Sequence, residues 1–154
     1  MATPLSEQEM KAKLRRFIDE GVNRGDLSVI EDIYADDWID HDIGHPDYGR
    51  GPQAVRQEVV AYRTGFPDIH QEIHDLVADG DVVVHRWTTI GTHLGEFMRL
   101  PATKKRVTTE GMTLSRFGPD GKIVETHNLY DRLSFMQQLG GKGLFWAVVK
   151  RAWR

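Results

Sequence analysis

The feature that most narrows the fold is a change of hydrophobic period at Pro67. Before it, apolar residues recur at helical spacing; after it, they alternate. Met10, Leu14, Phe17, Ile18 and Val22 form one stripe behind a capping box of Ser6 and Glu9, and that run ends near Asn23-Arg24-Gly25-Asp26. Leu27, Ile30, Ile33 and Tyr34 predict a second, short helix. A third starts at about Pro52, runs through Val55, Val59 and Tyr62 to Gly65, and cannot pass Pro67. Beyond it Asp68 to Ala78 alternates, Asp79-Gly80-Asp81 makes a hairpin turn, and Val82 to Thr92 is long and β-branched. Lys105 to Phe117 and Lys122 to Asp131 are further strands, joined by Gly118-Pro119-Asp120-Gly121. Leu133, Met136 and Leu139 return to helical spacing. Helices first and antiparallel strands afterwards define an α+β chain: three N-terminal helices packed on a strongly curved, mostly antiparallel sheet, with a pocket between the layers.

A chain of 154 residues, 40% apolar and 28% charged, suits one globular domain, here 1–140, followed by a tail, 141–154. In that tail, glycines precede Leu144, Phe145, Val148 and Trp153 with Lys150, Arg151 and Arg154, which predicts a cationic amphipathic helix packed against the protein. A net charge of −3 gives no pull toward nucleic acid, and no stretch approaches the roughly 20 apolar residues of a membrane span. Stable membrane binding is not expected. The N-terminus reads as a helix start rather than a signal peptide. With no cysteine there is no thiol chemistry, which fits a cytoplasmic protein.

The chemistry-bearing stretch is Ile33-Tyr34-Ala35-Asp36-Asp37-Trp38-Ile39-Asp40-His41-Asp42. Strand alternation puts Trp38, Asp40 and Asp42 on one face, and carboxylates beside an aromatic make a tunable acid or base. The seven histidines are scattered, none in an H-x-x-x-H pair, so no metal is expected. A proton shuttle through His41 or His93 stays open. No glycine-rich phosphate loop occurs, and no cofactor is implied.

The order "N-x-G-D", "YADDW" and "RGP-x-AV" resembles the nuclear transport factor 2-like superfamily. Within it, "GTHLGEF", "LPATKKRVTTEG" and "DGKIVETHNLYDRLSFMQQLG" resemble the SnoaL-like polyketide cyclase group. The resemblance implies a cone-shaped α+β barrel with a deep pocket, assembled as a homodimer through the outer sheet face. Position by position, the cyclase acid/base aspartate falls at Asn128 and its supporting histidine at Thr113. Limonene epoxide hydrolase is similar at Arg86, with its two aspartates at Thr88 and Asn128. Ketosteroid isomerase has its proton-shuttling aspartate at Asp42, with its oxyanion-hole groups at Ile18 and Thr113.

If Asp42, Arg86, Thr113 and Asn128 face inward, parity adds Trp38, Asp40, Val84, Thr88, Ser115, Thr126 and Tyr130 to the inner wall. Trp87, Met112, Leu114, Ile123 and Leu129 then lie outside. The expected activity is proton transfer on a small, apolar, carbonyl-bearing substrate: isomerisation, aldol-type cyclisation or elimination. Asp42, or else Asp40, is the candidate base, and Arg86 and Asn128 would stabilise an oxyanion. Trp38 and Tyr130 would pack on the ligand, and Thr88, Thr113 and His93 would help bind it. Each has a structural alternative: a turn cap for Asp42, a salt bridge for Arg86 with Asp40 as its partner, strand propensity for the threonines and Tyr130. Two rival functions stand beside the cyclase or isomerase: a noncatalytic ligand-binding domain, and an epoxide hydrolase in which Asp40 activates water and Arg86 orients it.

Overall fold

Helix α1 (Glu7–Arg16) begins where its capping box sets it. Ser6 Oγ accepts the Glu9 N–H at 3.3 Å, and the Glu9 carboxylate accepts the Ser6 N–H at 2.8 Å. Ser6→Ala should therefore lower stability by about 1 kcal/mol, read as a reduced urea midpoint at unchanged m-value. The computed structural model describes residues 4–42 and 47–140; the amphipathic tail predicted at 141–154 lies outside them.

α1 continues as a wider π-helical stretch, Phe17–Asn23, which buries Phe17, Ile18 and Gly21. Asp26 caps a 3₁₀ turn, Leu27–Val29, that leads into α2 (Ile30–Ile33). Tyr34, apolar in the helical count, is instead the first residue of β1 (Tyr34–Asp40). α3 (Gly51–Gly65) must start on a glycine: Gly51 has φ +71°, and a Cβ there would lie 2.4 Å from the Asp36 carbonyl oxygen. The chain then forms β2 (His70–Asp79), β3 (Val82–Thr92), β4 (Arg106–Phe117) and β5 (Ile123–Tyr130), and a last helix, α4, at 132–140.

The sheet runs β1-β5-β4-β3-β2. β2 to β5 pair antiparallel, whereas β1 lies parallel to β5, so the five-stranded sheet is mixed and does not close. This is the α+β arrangement expected from the period change. The helices cover one face. One buried cluster joins Met10, Leu14, Ile30, Ile33, Trp38 and Val55 to the sheet, and a second gathers Phe66, Ile69, Phe97, Val107 and Leu139. Among the described residues no helix is long and apolar enough to cross a membrane.

Candidate functional site

Between the helices and the inner sheet face lies a cavity of about 170 Å³. Phe17, Ile18 and Val22 of the π-helical stretch line it on one side, and α3 contributes Val55, Glu58, Val59 and Tyr62. The sheet contributes Trp38, His85, Trp87, Thr113, Thr126, Asn128 and Tyr130. Trp38, Asp42 and Glu58 are also walls of a smaller, acidic chamber of about 130 Å³ that includes Asp40, Asp47 and Tyr48. The site is thus an apolar cavity with carboxyl groups at one wall.

Strand pairing decides which side chains enter. Antiparallel partners share a face. His85 pairs with Thr113, Arg86 with Met112 and Trp87 with Gly111. With Thr113 inside, His85 and Trp87 are inside too, and Arg86 and Thr88 point outward. This corrects the expected parity of β3. Arg86 Nε instead meets Asp75 Oδ2 at 2.6 Å on the exposed face, and Thr88 Oγ1 lies 2.7 Å from His74 Nε2. The epoxide hydrolase alternative loses Arg86 as the group that would orient its water. Because both Arg86 and Asp75 are solvated, Arg86→Gln should cost less than about 1 kcal/mol; chemical denaturation checks this. Trp87 fits inside because Gly111 opposes it, where a Cβ would come within 2.5 Å of the indole. Ile123, also placed outside by parity, is fully buried, since a register shift between Arg116 and Phe117 moves the start of β5.

The inward residues of β4, β5 and β1 are where alternation put them. Trp38 Nε1 donates to Thr126 Oγ1 at 2.9 Å. Trp87 Nε1 donates to Thr113 Oγ1 at 2.8 Å, and Thr113 Oγ1 donates to Asn128 Oδ1 at 2.7 Å. That relay engages the amide oxygen of Asn128, so its amide nitrogen is the group oriented to donate to a ligand. Tyr62 donates to the Tyr130 hydroxyl, and burial holds both phenols above their ordinary range.

Asp40 ends β1 and accepts the Asp42 N–H at 3.1 Å, so the chain turns between them rather than continuing the strand. Asp40 faces the acidic chamber, while Asp42 reaches both spaces. The Asp42 side chain is only 4% exposed and is ion-paired with Arg132, whose guanidinium lies 5.1 Å over the Tyr130 ring. Arg132 supplies the counter-charge that a carboxylate in so enclosed a place requires. His93 is fully buried against Phe66, its Nδ1 meeting Thr103 at 3.0 Å, and it is not among the cavity-lining residues.

Glu58 and His85, which line the cavity, and Arg132, which pairs with Asp42, were not among the sequence candidates. Glu58 is the most consequential: burial, reinforced by the negative charge of Asp40, pushes its carboxyl up to about 8. It keeps some accessible surface, but that surface faces the cavity and chamber. His85 is 2% exposed, burial lowers it to about 4, and its Nδ1 has no hydrogen-bond partner among the described residues. It is therefore a neutral imidazole. Arg132, from the first turn of α4, is the third. Glu58 was detectable: it interrupts the apolar stripe Ala54, Val55, Val59, Tyr62 on α3. The arrangement combines a neutral carboxylic acid, an ion-paired carboxylate, an oriented amide and aromatic walls, which are the parts of an acid–base site.

A family model for the SnoaL-like polyketide cyclase matches residues 12–139. The chain is 30% identical over 129 residues to the aklanonic acid methyl ester cyclase DnrD of Streptomyces peucetius, covering 82% of this chain and 88% of that protein. It superposes on TsrD from Streptomyces laurentii with a TM-score of 0.80 at 22% identity, over 89% of this chain and 98% of that one. IdmH from Streptomyces antibioticus gives a TM-score of 0.68 at 29% identity, over 85% and 98%.

Proposed function

Because this chain belongs to the SnoaL-like polyketide cyclase family, we propose that it closes a ring in a small, largely apolar β-dicarbonyl compound by acid–base catalysis without a cofactor. The observation that carries this reading is the pair of carboxyl groups, Asp42 and Glu58, at one wall of a largely apolar cavity. They sit in opposite settings, one ion-paired and the other pushed up to about 8.

Asp42 takes the acidic proton from the carbon between two carbonyls, and the enolate forms there. Its carbon then adds to a third, more distant carbonyl of the same molecule, making one C–C bond and an alkoxide. Neutral Glu58 gives its proton to that alkoxide, and exchange with solvent restores Asp42 as base and Glu58 as acid. Product and substrate are isomers. Asn128 donates to the developing oxyanion, and Trp38, Trp87 and Tyr130 hold the apolar body. A relative's activity on aklanonic acid methyl ester, as the name of DnrD gives it, is a chemical precedent for such a reaction.

Two further features of the reading concern the whole protein. Met112, Leu129 and Val77 stand exposed on the outer sheet face at 50%, 74% and 62%, and a two-fold homodimer would cover them. The cysteine-free composition fits work in the cytoplasm.

The test is to supply linear and partly cyclised β-keto esters and follow mass-neutral ring closure by NMR. Closure should occur, with a rate that falls as pH rises through about 8, where Glu58 loses its proton. Tight binding of the same compounds with no conversion at any pH would make the protein a ligand-binding domain instead.

A further inference from the structure

On the opposite, outer face of the sheet, the parallel pairing of β1 with β5 continues beyond the last residue of β1. Ile39 lies against Glu125, Asp40 against Thr126, and the His41 N–H donates to the Thr126 carbonyl at 2.9 Å. His41 is thereby set beside His127, which shares a strand face with Glu125 two residues earlier. The two imidazoles stack with centroids 4.3 Å apart and planes 11° from parallel. Glu125 Oε2 lies 2.9 Å from His41 Nε2 and 4.0 Å from His127 Nε2. One donor atom from each of the three falls within 4.8 Å of the others.

We propose that His41, Glu125 and His127 form a binding site for a divalent transition-metal ion of the Zn²⁺ type, separate from the cavity. Two imidazoles and one carboxylate are the donor set such an ion takes, with the remaining positions open to water. In a tetrahedral site with bonds of about 2.0 Å, donors lie roughly 3.3 Å apart, so the side chains need close by only an ångström or so. They have the freedom to do it, being 39%, 29% and 48% exposed.

The surroundings support a held ligand rather than a loose one. Glu125 Oε1 accepts Arg116 Nε at 2.7 Å, and Arg116 Nη1 is in turn anchored on Asp81 at 2.9 Å. Arg116 thus fixes the carboxylate so that Oε2 faces the histidines, the usual job of a group behind a metal ligand. The carboxylate is held below its ordinary range by Arg116 and His41, so it is anionic at neutral pH. An ion here would clamp edge strand β1 to β5 one residue before Asp42. The expectation of scattered histidines fails for this pair because the parallel pairing joins segments that are far apart in sequence.

The test is calorimetric titration of the full chain, freed of metal by a chelator, with Zn²⁺ alone, and with Co²⁺ for its absorption spectrum. Wild type should bind one ion per chain and melt at a higher temperature with Zn²⁺. His41→Ala, His127→Gln and Glu125→Gln should each weaken binding by about tenfold or more and lose the thermal shift. His70→Ala, altered at a histidine on β2, should behave as wild type. Absence of Zn²⁺ heat in wild type would overturn the proposal, as would equal binding by wild type and the His41→Ala/His127→Gln double variant. Circular dichroism melts of the metal-free variants show whether each is folded.

Discussion

Asp42→Asn should slow ring closure by about 10²- to 10⁴-fold while leaving ligand affinity within a few-fold of wild type. Asparagine keeps the shape of the side chain but cannot take up a proton. The substitution also removes the counter-charge of Arg132, which is 33% exposed and can turn toward water, so the stability loss should stay near 1 kcal/mol. Arg132→Gln makes the complementary case. It leaves a carboxylate that is 4% exposed without its cation, and should cost more stability than Asp42→Asn. Turnover and melting temperature measured on both variants separate the two roles: the first variant loses chiefly rate, the second loses stability as well.

Glu58→Gln should change how stability depends on pH. In the unfolded chain this carboxyl titrates near its ordinary 4.5, whereas in the fold it titrates at about 8. Between those values the native state holds a proton that the unfolded state has released. Stability therefore falls as pH rises through that window, by up to about 5 kcal/mol across it. Glutamine has no proton to lose, so the variant should show a flatter profile and exceed wild type in stability at pH 8 and above. Its turnover should fall, because the amide cannot deliver a proton to the alkoxide, and the alkaline limb of the rate profile should disappear with it. Urea titrations at several pH values check the first effect. An unchanged slope in the variant would mean that Glu58 is ionised in the fold and cannot act as the acid.

How far these residues were readable from sequence differs by element. The change of period at Pro67, the capping box at Ser6 and the turns at Gly80 and Gly121 placed the helices and strands to within a few residues. With Thr113 and Asn128 set inward by the resemblance, alternation also placed Trp38, Thr126 and Tyr130 on the inner wall. β3 defeated it. In Val82-Val83-Val84-His85-Arg86-Trp87-Thr88 neither face is clearly polar, so only the pairing with β4 fixes the parity. An isolated resemblance at Arg86 pointed to the wrong face. Glu58 could have been found as a carboxylate on an apolar helical stripe. Arg132 could not, since its role depends on α4 folding back to the end of β1. The same holds for His41 and His127, brought together by a parallel strand pair.

Proton removal by Asp42 is tested most directly by hydrogen exchange, which needs no knowledge of the product. Wild type, Asp42→Asn and Asp40→Asn are incubated in heavy water with a panel of ketones and β-keto esters, and deuterium uptake is followed by mass spectrometry. Uptake by wild type and Asp40→Asn, lost in Asp42→Asn, is the expected result. Equal uptake by wild type and Asp42→Asn, or uptake lost only in Asp40→Asn, would contradict it and move the base into the acidic chamber or out of the cavity altogether.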